Sequence, residues 1–164
     1  MSGRLALSAL LAALLPAQAA LAACPAELAV YRDAADAAGI DFHPAGEGAA
    51  ITNAFRLPLR NGPVLDGVVM WTEPPSQSWG VVTLDCPEGD VTGEELHQCT
   101  VWEGPIYAVR EGGAAGYLPR EGEPAATHLI LAGLSHQILG APALAERQPD
   151  PLPGDIFQLS GCQE

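Results

Sequence analysis

The chain has 164 residues, of which 20 are acidic and seven are arginine, and it contains no lysine. All 20 acidic residues follow position 23, and with the six arginines found there they give this part of the chain a net charge of −14. A surface this acidic repels phosphate backbones and anionic lipids, which attract clusters of Lys and Arg. Nucleic-acid binding is therefore excluded.

The first 23 residues have the pattern of a secretory signal peptide. Arg4 precedes an apolar run over residues 5–15, and Pro16 and the mostly small residues at 17–23 follow. These are the charged, apolar and cleavage regions of a signal that is removed after export. The apolar run is shorter than the roughly 20 residues that span a bilayer. Abundant Ala, Gly and Pro indicate a GC-rich bacterial genome, so we expect a periplasmic or secreted bacterial protein without a membrane span.

The sequence Leu21-Ala22-Ala23-Cys24 also resembles a lipobox, in which an acylated cysteine becomes the first residue of the mature protein. Pro25 directly after the cysteine disfavours this alternative. Acylation would also leave three thiols, an odd number in an oxidising compartment. A lipid-anchored envelope protein therefore stays as the alternative to a free exported one.

Residues 24–164 have the size of one domain, and their first segment predicts a helix. Pro25 suits a first helical position and Gly39 suits the residue after the last turn. Leu28 and Tyr31 begin an apolar stripe at helical spacing. We therefore expect an amphipathic helix over residues 25–38.

The middle of the chain predicts an antiparallel sheet, because short segments rich in Val, Trp and Thr alternate with turn-forming residues. Residues 40–42 and 55–59 also alternate, but Pro58 restricts the second segment to an edge strand or an extended loop. Residues 87–96 are acidic and polar and predict a surface loop. The remaining predicted strands are residues 67–72, 79–86, 99–102, 106–110 and 156–160.

A second helix is predicted over residues 124–139. Pro124 marks its start and Gly140 its end, and Ile130, Leu134 and Ile138 lie at helical spacing. Two helices at opposite ends of a run of strands predict an α+β domain over residues 24–164. In this fold class a small antiparallel sheet packs with an N-terminal and a C-terminal helix.

The four cysteines predict two structural disulfides. Cys86 and Cys99 lie 13 positions apart, at the end of one predicted strand and the start of another, where a local bridge is easily formed. Cys24 and Cys162 are then paired by elimination, which ties the two ends of the domain together. Four cysteines allow three connectivities, and the chain lacks the C-x-x-C pattern of redox-active pairs.

Trp71, Trp79 and Trp102 are candidate binding residues. Trp71 and Trp79 flank the stiff segment 73–78, so both can lie at one end of a hairpin, where exposed indoles stack on a sugar or grip a peptide. The alternative is that the indoles are buried, because aromatic residues make up only 5% of the chain and the core needs them.

No metal or cofactor is expected. His97-Gln98-Cys99 is half of a metal-binding pattern, but a tetrahedral site needs three or four ligands and no second pair follows at ligand spacing. His128 and His136 are separated by about 12 Å along the predicted C-terminal helix at 1.5 Å per residue, which is too far for one ion. The chain contains no recognisable cofactor motif.

These observations predict an exported protein of the bacterial envelope or periplasm that acts as a non-catalytic binding or accessory module. Its expected partner is a small molecule, glycan or protein of the envelope. The alternative is a periplasmic hydrolase in which Asp41, His43 and Glu47, close together beside a turn, perform acid–base chemistry.

Overall fold

Nine β-strands and two short helices make up the described part of this computed structural model, residues 23–46 and 50–164. The predicted signal peptide, apart from Ala23, and the candidate residue Glu47 lie outside it. Within the described ranges, no helix is long and apolar enough to cross a membrane. The elements are β1 (Ala29–Asp33), β2 (Gly39–His43), β3 (Ile51–Pro58), β4 (Val64–Trp71), β5 (Ser78–Thr83), α1 (Gly93–Cys99), β6 (Thr100–Val109), β7 (Ala115–Tyr117), β8 (His128–Leu131), α2 (Leu134–Gly140) and β9 (Ile156–Cys162).

Eight of the strands close into an antiparallel barrel. Each strand pairs with the next along the chain from β1 to β6, then β6 pairs with β8 and β8 with β9. Closure comes from β9, which returns to β1 and places Val30 opposite Gly161. The short β7 pairs only with β6, beside the barrel. Closure of the ring removes the exposed sheet edges of an open sheet.

The predicted α+β fold is wrong, and so is its N-terminal helix over residues 25–38. Only a 3-10 turn, Ala26–Leu28, follows Pro25, and the chain then extends as β1 and β2. Ala29, Tyr31 and Asp33 are buried while the residues between them are partly exposed. Burial of every second residue is the pattern of a strand. The small residues that follow fit the strand pattern and the helix pattern equally well.

The predicted C-terminal helix over residues 124–139 is also wrong over most of its length. Its first half is extended and includes β8, in which Leu129 and Leu131 are buried and alternate with partly exposed neighbours. Gly133 lies between β8 and α2 and has a φ of 74°, a left-handed conformation that separates the strand from the helix. A helix of seven residues, α2, begins only after this glycine.

The predictions for the middle of the chain are mostly confirmed. Segments 67–72, 79–86 and 156–160 correspond to β4, β5 and β9. Segments 99–102 and 106–110 are the two halves of the single strand β6, whose first half pairs with β5 and whose second half pairs with β8. Because β6 changes partners along its length, it closes the barrel between these two neighbours.

Two segments differ from the prediction. The strand that contains Pro58 is not an edge strand, since β3 pairs with β2 on one side and β4 on the other. Pro58 is tolerated as the last residue of that strand. The predicted loop over 87–96 contains the start of α1, where Thr92 and Glu95 form a capping box.

The barrel interior is filled by side chains. Tyr31, Phe42, Phe55, Trp102 and Phe157 are each at most 1% exposed and dominate the core. The Tyr31 hydroxyl donates a hydrogen bond of 2.9 Å to a backbone carbonyl, and burial raises the pKa of this phenol. An eight-stranded barrel is wide enough either to be packed in this way or to hold one small ligand. Here the aromatic side chains occupy that space.

Glycines on the strands make room for these rings. A Cβ atom added to Gly80 would lie 2.8 Å from the Trp102 ring and 2.7 Å from Ile106. The rings therefore pack directly against backbone of the neighbouring strands, as Phe55 also does against Gly67.

Both ends of the barrel are covered. At one end the segment 118–124, here called the strap, crosses the opening, and its first residue, Leu118, is only 2% exposed. The Ser78 hydroxyl accepts a hydrogen bond from the Leu118 amide and donates one to a β6 carbonyl, which fixes the start of the strap. At the other end α2 and the segment after it bury Leu134, Ile138 and Leu144 completely.

The two predicted disulfides are both formed. Cys24 bonds to Cys162 with their Cα atoms 5.7 Å apart, and Cys86 bonds to Cys99 with theirs 5.2 Å apart. No free cysteine occurs among the described residues. The first bridge joins the chain just before β1 to the end of β9, across the seam where the barrel closes.

Candidate binding surface

One apolar area extends over the outside of the barrel on five strands, β4, β5, β6, β8 and β9. Its side chains point outward because they alternate with the buried residues of the same strands. Tyr107 and Ile156 are 40% and 57% exposed, and the other members are partly exposed. We call this area the apolar face, and it consists of Val68, Met70, Trp79, Val81, Pro105, Tyr107, Ile130 and Ile156.

Strand register makes the apolar face continuous. Trp79 on β5 lies opposite Met70 on one side and Pro105 on the other. Tyr107 is the next outward residue after Pro105, and it lies opposite Ile130, which in turn lies opposite a residue of β9. Opposed residues on adjacent strands have side chains in contact range, so the face runs unbroken across the sheet.

Aromatic rings continue this face around the strap end of the barrel. Tyr107 stacks on Tyr117 with ring centroids 6.0 Å apart, and Tyr117 meets Trp71 edge to face, also at 6.0 Å. The guanidinium carbon of Arg120, in the strap, lies 4.6 Å from the Trp71 ring centroid, a cation–π geometry. The three rings and the arginine link the strap to the apolar face.

The three tryptophans that are candidate binding residues occupy different environments. Trp79 belongs to the apolar face, and Trp71 is partly buried between the strap and Tyr117. Trp102 is completely buried, and its indole N–H donates a 3.1 Å hydrogen bond to the Ala132 carbonyl. Trp71 and Trp79 therefore reach the surface, whereas Trp102 is a core residue.

The sequence interpretation missed most of the apolar face. Tyr107 lies in a predicted strand, but its outward direction depends on the register of β6. Ile130 lies in the predicted C-terminal helix, where the structure has β8 instead. Ile156 begins a predicted strand, but nothing in the sequence places this strand beside β8. The available signal is the content of strand-forming residues in each segment, which indicates strands but not which side chains share a face.

Two residues of the hydrolase hypothesis, Asp41 and His43, lie elsewhere, on the outside of β2, and Glu47 is outside the described residues. Asp41 and His43 share one face of the strand and border an open cavity of about 430 Å³ with Arg56. The Asp41 carboxylate is bonded to the Arg32 guanidinium. His43 Nδ1 lies 3.1 Å from the carbonyl oxygen of Pro44. Asp41 and His43 are thus neighbours, but each is engaged with another group.

A second cavity, of about 490 Å³, lies between α1 and α2. His97, Glu103 and His136 contribute to its walls. The prediction that His128 and His136 share a helix is wrong, because His128 lies on β8. In residues 23–46 and 50–164, no group of three His, Cys, Asp or Glu side chains is arranged to hold a metal ion.

Comparison of the chain with protein-family profiles, curated proteins and solved structures gave no match.

Proposed function

We propose that the protein is an exported, non-catalytic binding module of the bacterial envelope that engages another macromolecule through the apolar face. One observation carries this proposal: the barrel interior is filled and both of its ends are covered, while the apolar face lies open on the outside. A barrel packed in this way has no internal site for a small ligand, so binding would use the outer surface.

The residue types of the apolar face, and the paired strands that hold them in place, favour a binding role. Trp, Tyr and Met, all of which it contains, are enriched at the centres of protein interfaces. Contiguous exposed apolar areas on soluble domains commonly mark interaction sites. The face is built on paired strands of a closed barrel, so its side chains are held in place before binding, which lowers the entropic cost of association.

The hydrolase alternative receives less support from the geometry. Its carboxylate, Asp41, is held by Arg32, and its imidazole, His43, faces the adjacent main chain. An acid–base pair must reach a substrate and exchange protons with it. The arrangement on β2 gives these groups other partners, and this favours binding over hydrolysis.

The disulfide at the barrel seam favours the free form over the lipid-anchored form. In a lipoprotein the Cys24 sulfur carries the acyl-bearing group, and here that sulfur is bonded to Cys162. One sulfur atom cannot carry the acyl-bearing group and form a disulfide at the same time. We therefore propose that the mature protein is periplasmic or secreted without a lipid anchor.

Site-specific photo-crosslinking in the producing bacterium tests the proposed function. A benzophenone amino acid is placed at Tyr107 or Ile156 on the apolar face, and as controls at Asp41 or His43 on β2, the strand across the barrel from β6. We expect discrete adducts of higher mass from the first two positions only. Absence of adducts from both face positions, or equal adducts from all four, would contradict the proposal. Photo-reactivity of each purified variant is checked in parallel.

A further inference from the structure

One strand of the described part has an unpaired side. Each of the eight barrel strands has a neighbour on both sides, whereas β7 pairs only with β6. An open strand edge presents N–H and C=O groups at the spacing of an extended chain, so another chain can pair with it. Strand β7 has no proline or charged residue to hinder such pairing, since it consists of Ala115, Gly116 and Tyr117. Its outer side, here called the open edge, can therefore take a further strand.

The register of the β6–β7 pair shows which backbone groups of β7 are free. The Arg110 amide donates a hydrogen bond to the Ala114 carbonyl at 2.8 Å. Because hydrogen-bonded and non-bonded pairs alternate along an antiparallel ladder, the next pair, Val109 with Ala115, is non-bonded, and so is the pair that contains Tyr117. The N–H and C=O groups of Ala115 and Tyr117 therefore point away from β6. They form no hydrogen bond with another residue of the described ranges.

The open edge is accessible to solvent. Ala115 is exposed, and Gly116 and Tyr117 are partly exposed. A Cβ atom added to Gly116 would have a single atom beyond the adjacent residues within 4 Å, the Nη1 of Arg110 at 3.7 Å. Buried backbone groups are almost always hydrogen-bonded inside the protein. The four free groups of Ala115 and Tyr117 instead fit a surface that pairs with water or with a partner.

Strand β7 is held in its extended form before any partner binds. The Leu118 amide, directly after β7, donates a 3.2 Å hydrogen bond to the Ser78 hydroxyl, which donates a 2.8 Å bond to the Ile106 carbonyl. Ile106 and Leu118 are the next pair in the β6–β7 register, so the hydroxyl continues the ladder by one step. An edge that is ordered in advance loses little freedom when a partner pairs with it.

Tyr117 links the open edge to the apolar face. Its ring stacks on Tyr107 of the face and meets Trp71 edge to face, in both cases with ring centroids 6.0 Å apart. In a strand added beside β7, a side chain opposite Tyr117 would stand on the same side of the sheet as the Tyr117 ring. An apolar side chain at that position would extend the apolar face.

Resting on the proposed function, we infer that the bound macromolecule is a protein that presents an extended segment, which pairs with the open edge as an additional strand. Donors and acceptors on alternate residues of β7 match the backbone of an extended polypeptide. In this mode of recognition the backbone bonds provide affinity, and a side chain such as the apolar one opposite Tyr117 provides selectivity. A second copy of this chain is disfavoured, since each carries a net charge of −14 after position 23.

Two synthetic peptides are suitable probes of this inference. Both have the sequence Thr-Val-Tyr-Val-Thr with blocked ends, and in one of them the three central backbone nitrogens are N-methylated. Each is titrated into the full, oxidised, ¹⁵N-labelled protein and followed by NMR. We expect the unmodified peptide to shift the amide signals of Ala115 and Tyr117 and to slow their hydrogen exchange. The methylated peptide should bind about tenfold more weakly, because its backbone can no longer donate to the open edge.

Two substitutions at one position separate the backbone of β7 from its side chains. Ala115→Pro removes an outward N–H, and proline is tolerated in an edge strand where that N–H faces solvent. We expect it to weaken binding of the unmodified peptide by about fivefold, as the loss of one hydrogen bond would give. Ala115→Val keeps the N–H, adds a side chain of similar size, and should change the affinity by less than about twofold. Unchanged NMR spectra outside β7 confirm folding of both variants. If the proline variant does not fold, the comparison of the two peptides on the unmodified protein decides.

Several outcomes would overturn the inference. These are equal affinity for the two peptides, no binding of either at millimolar concentration, or equal weakening by the proline and valine variants. In the producing bacterium, crosslinks from Tyr107 that persist unchanged in the Ala115→Pro background would overturn it too, as would crosslinks to a second copy, while the proposed function would stand. Absence of crosslinks from the apolar face would instead remove the proposed function itself.

Discussion

Phe55 on β3 packs against Gly67, its register partner on β4, so closely that a Cβ atom at position 67 would lie 2.2 Å from the ring. The ring has no alternative space, because it is 1% exposed and belongs to the main core cluster. At this point of the strand pair, the large ring on β3 fills the space that the glycine on β4 leaves open.

We expect Gly67→Ala to lower the free energy of unfolding by about 1–3 kcal/mol, the usual cost of overpacking a core. Combining it with Phe55→Leu, which removes the clashing ring atoms, should cost less than the sum of the two single changes. Urea denaturation measures both. Gly161→Ala on β9, where no atom lies within 4 Å of the added Cβ, is the control and should change stability by less than about 0.5 kcal/mol. Equal effects of the two alanines would contradict the prediction.

A second prediction concerns the buried carboxylate of Asp33. It accepts hydrogen bonds from the amides of Ala37 and Ala38, at 2.6 and 2.9 Å, and from Gly154 at 3.2 Å. Asp33→Ala leaves these donors without an acceptor, so we expect a loss of at least about 2 kcal/mol of unfolding free energy. Asp33→Asn keeps one acceptor oxygen and should cost less. A smaller loss for alanine than for asparagine would show that these bonds do not stabilise the turn.

The two disulfides should differ in what they contribute. In the chain-entropy description a bridge spanning 138 positions stabilises by about 5 kcal/mol and one spanning 13 positions by about 3 kcal/mol. We therefore expect the double change Cys24→Ala with Cys162→Ala to lower stability more than Cys86→Ala with Cys99→Ala. Thermal and urea unfolding compare them. Proteolysis without reductant should recover a peptide of Cys24 joined to one of Cys162, and any other pairing would contradict the scheme.

The capping box of α1 predicts a measurable dependence on pH. The backbone N–H of Thr92 and its hydroxyl both donate hydrogen bonds to the Glu95 carboxylate. Both bonds lower the pKa of that group, and the backbone bond has the larger effect. Because the pKa is lower in the folded state, the cap stabilises α1 above the ordinary glutamate pKa and is lost as the pH falls through the lowered value.

An NMR titration of the Glu95 carboxyl carbon tests this dependence. In Thr92→Ala the side-chain hydroxyl is gone, so we expect the Glu95 pKa to rise toward its ordinary value. Amide exchange in α1 should become faster as well, because the hydroxyl of Thr92 no longer accepts from the Glu95 amide. An unchanged Glu95 pKa in the variant would show that the hydroxyl has no part in the shift.

The strands and disulfides could be predicted from the sequence where the signal was local. The segments around Val68 and Val81 are short, rich in Val, Trp and Thr, and bounded by turn-forming residues, and Cys86 and Cys99 lie at predicted strand ends only 13 positions apart. Such features depend on neighbours along the chain. They remain valid whatever the rest of the fold does.

The fold class could not be predicted because two segments fit both periods. Residues 25–38 contain six alanines, which suit a helix and fit equally well at buried positions of a small barrel. The run around Ile130 is apolar at successive positions, which does not separate a buried strand from a helix. Tertiary pairing with β9 decides between them, and that pairing joins residues remote in sequence.

The apolar face was accessible to sequence reasoning only in part. Trp79 is a candidate from the sequence because, with Trp71, it flanks the stiff segment 73–78. Tyr107, Ile130 and Ile156 come together only after three strands are paired in register. A surface assembled across a sheet has no signature in any one segment, so its extent could not be derived before the register was known.

The pairing of β9 with β1 has a consequence for how the protein is made. The barrel cannot close until β9 is present, because β9 is the hydrogen-bonded neighbour of both β8 and β1. Contacts between residues so distant in sequence make folding slow. During the proposed export, a chain that moves N-terminus first through a translocation channel would therefore stay unfolded until its last strand had followed. Because the pairing of β9 with β1 would form last, the chain would stay competent for transport. The native fold would form only when the whole domain had arrived in the compartment where its cysteines are oxidised.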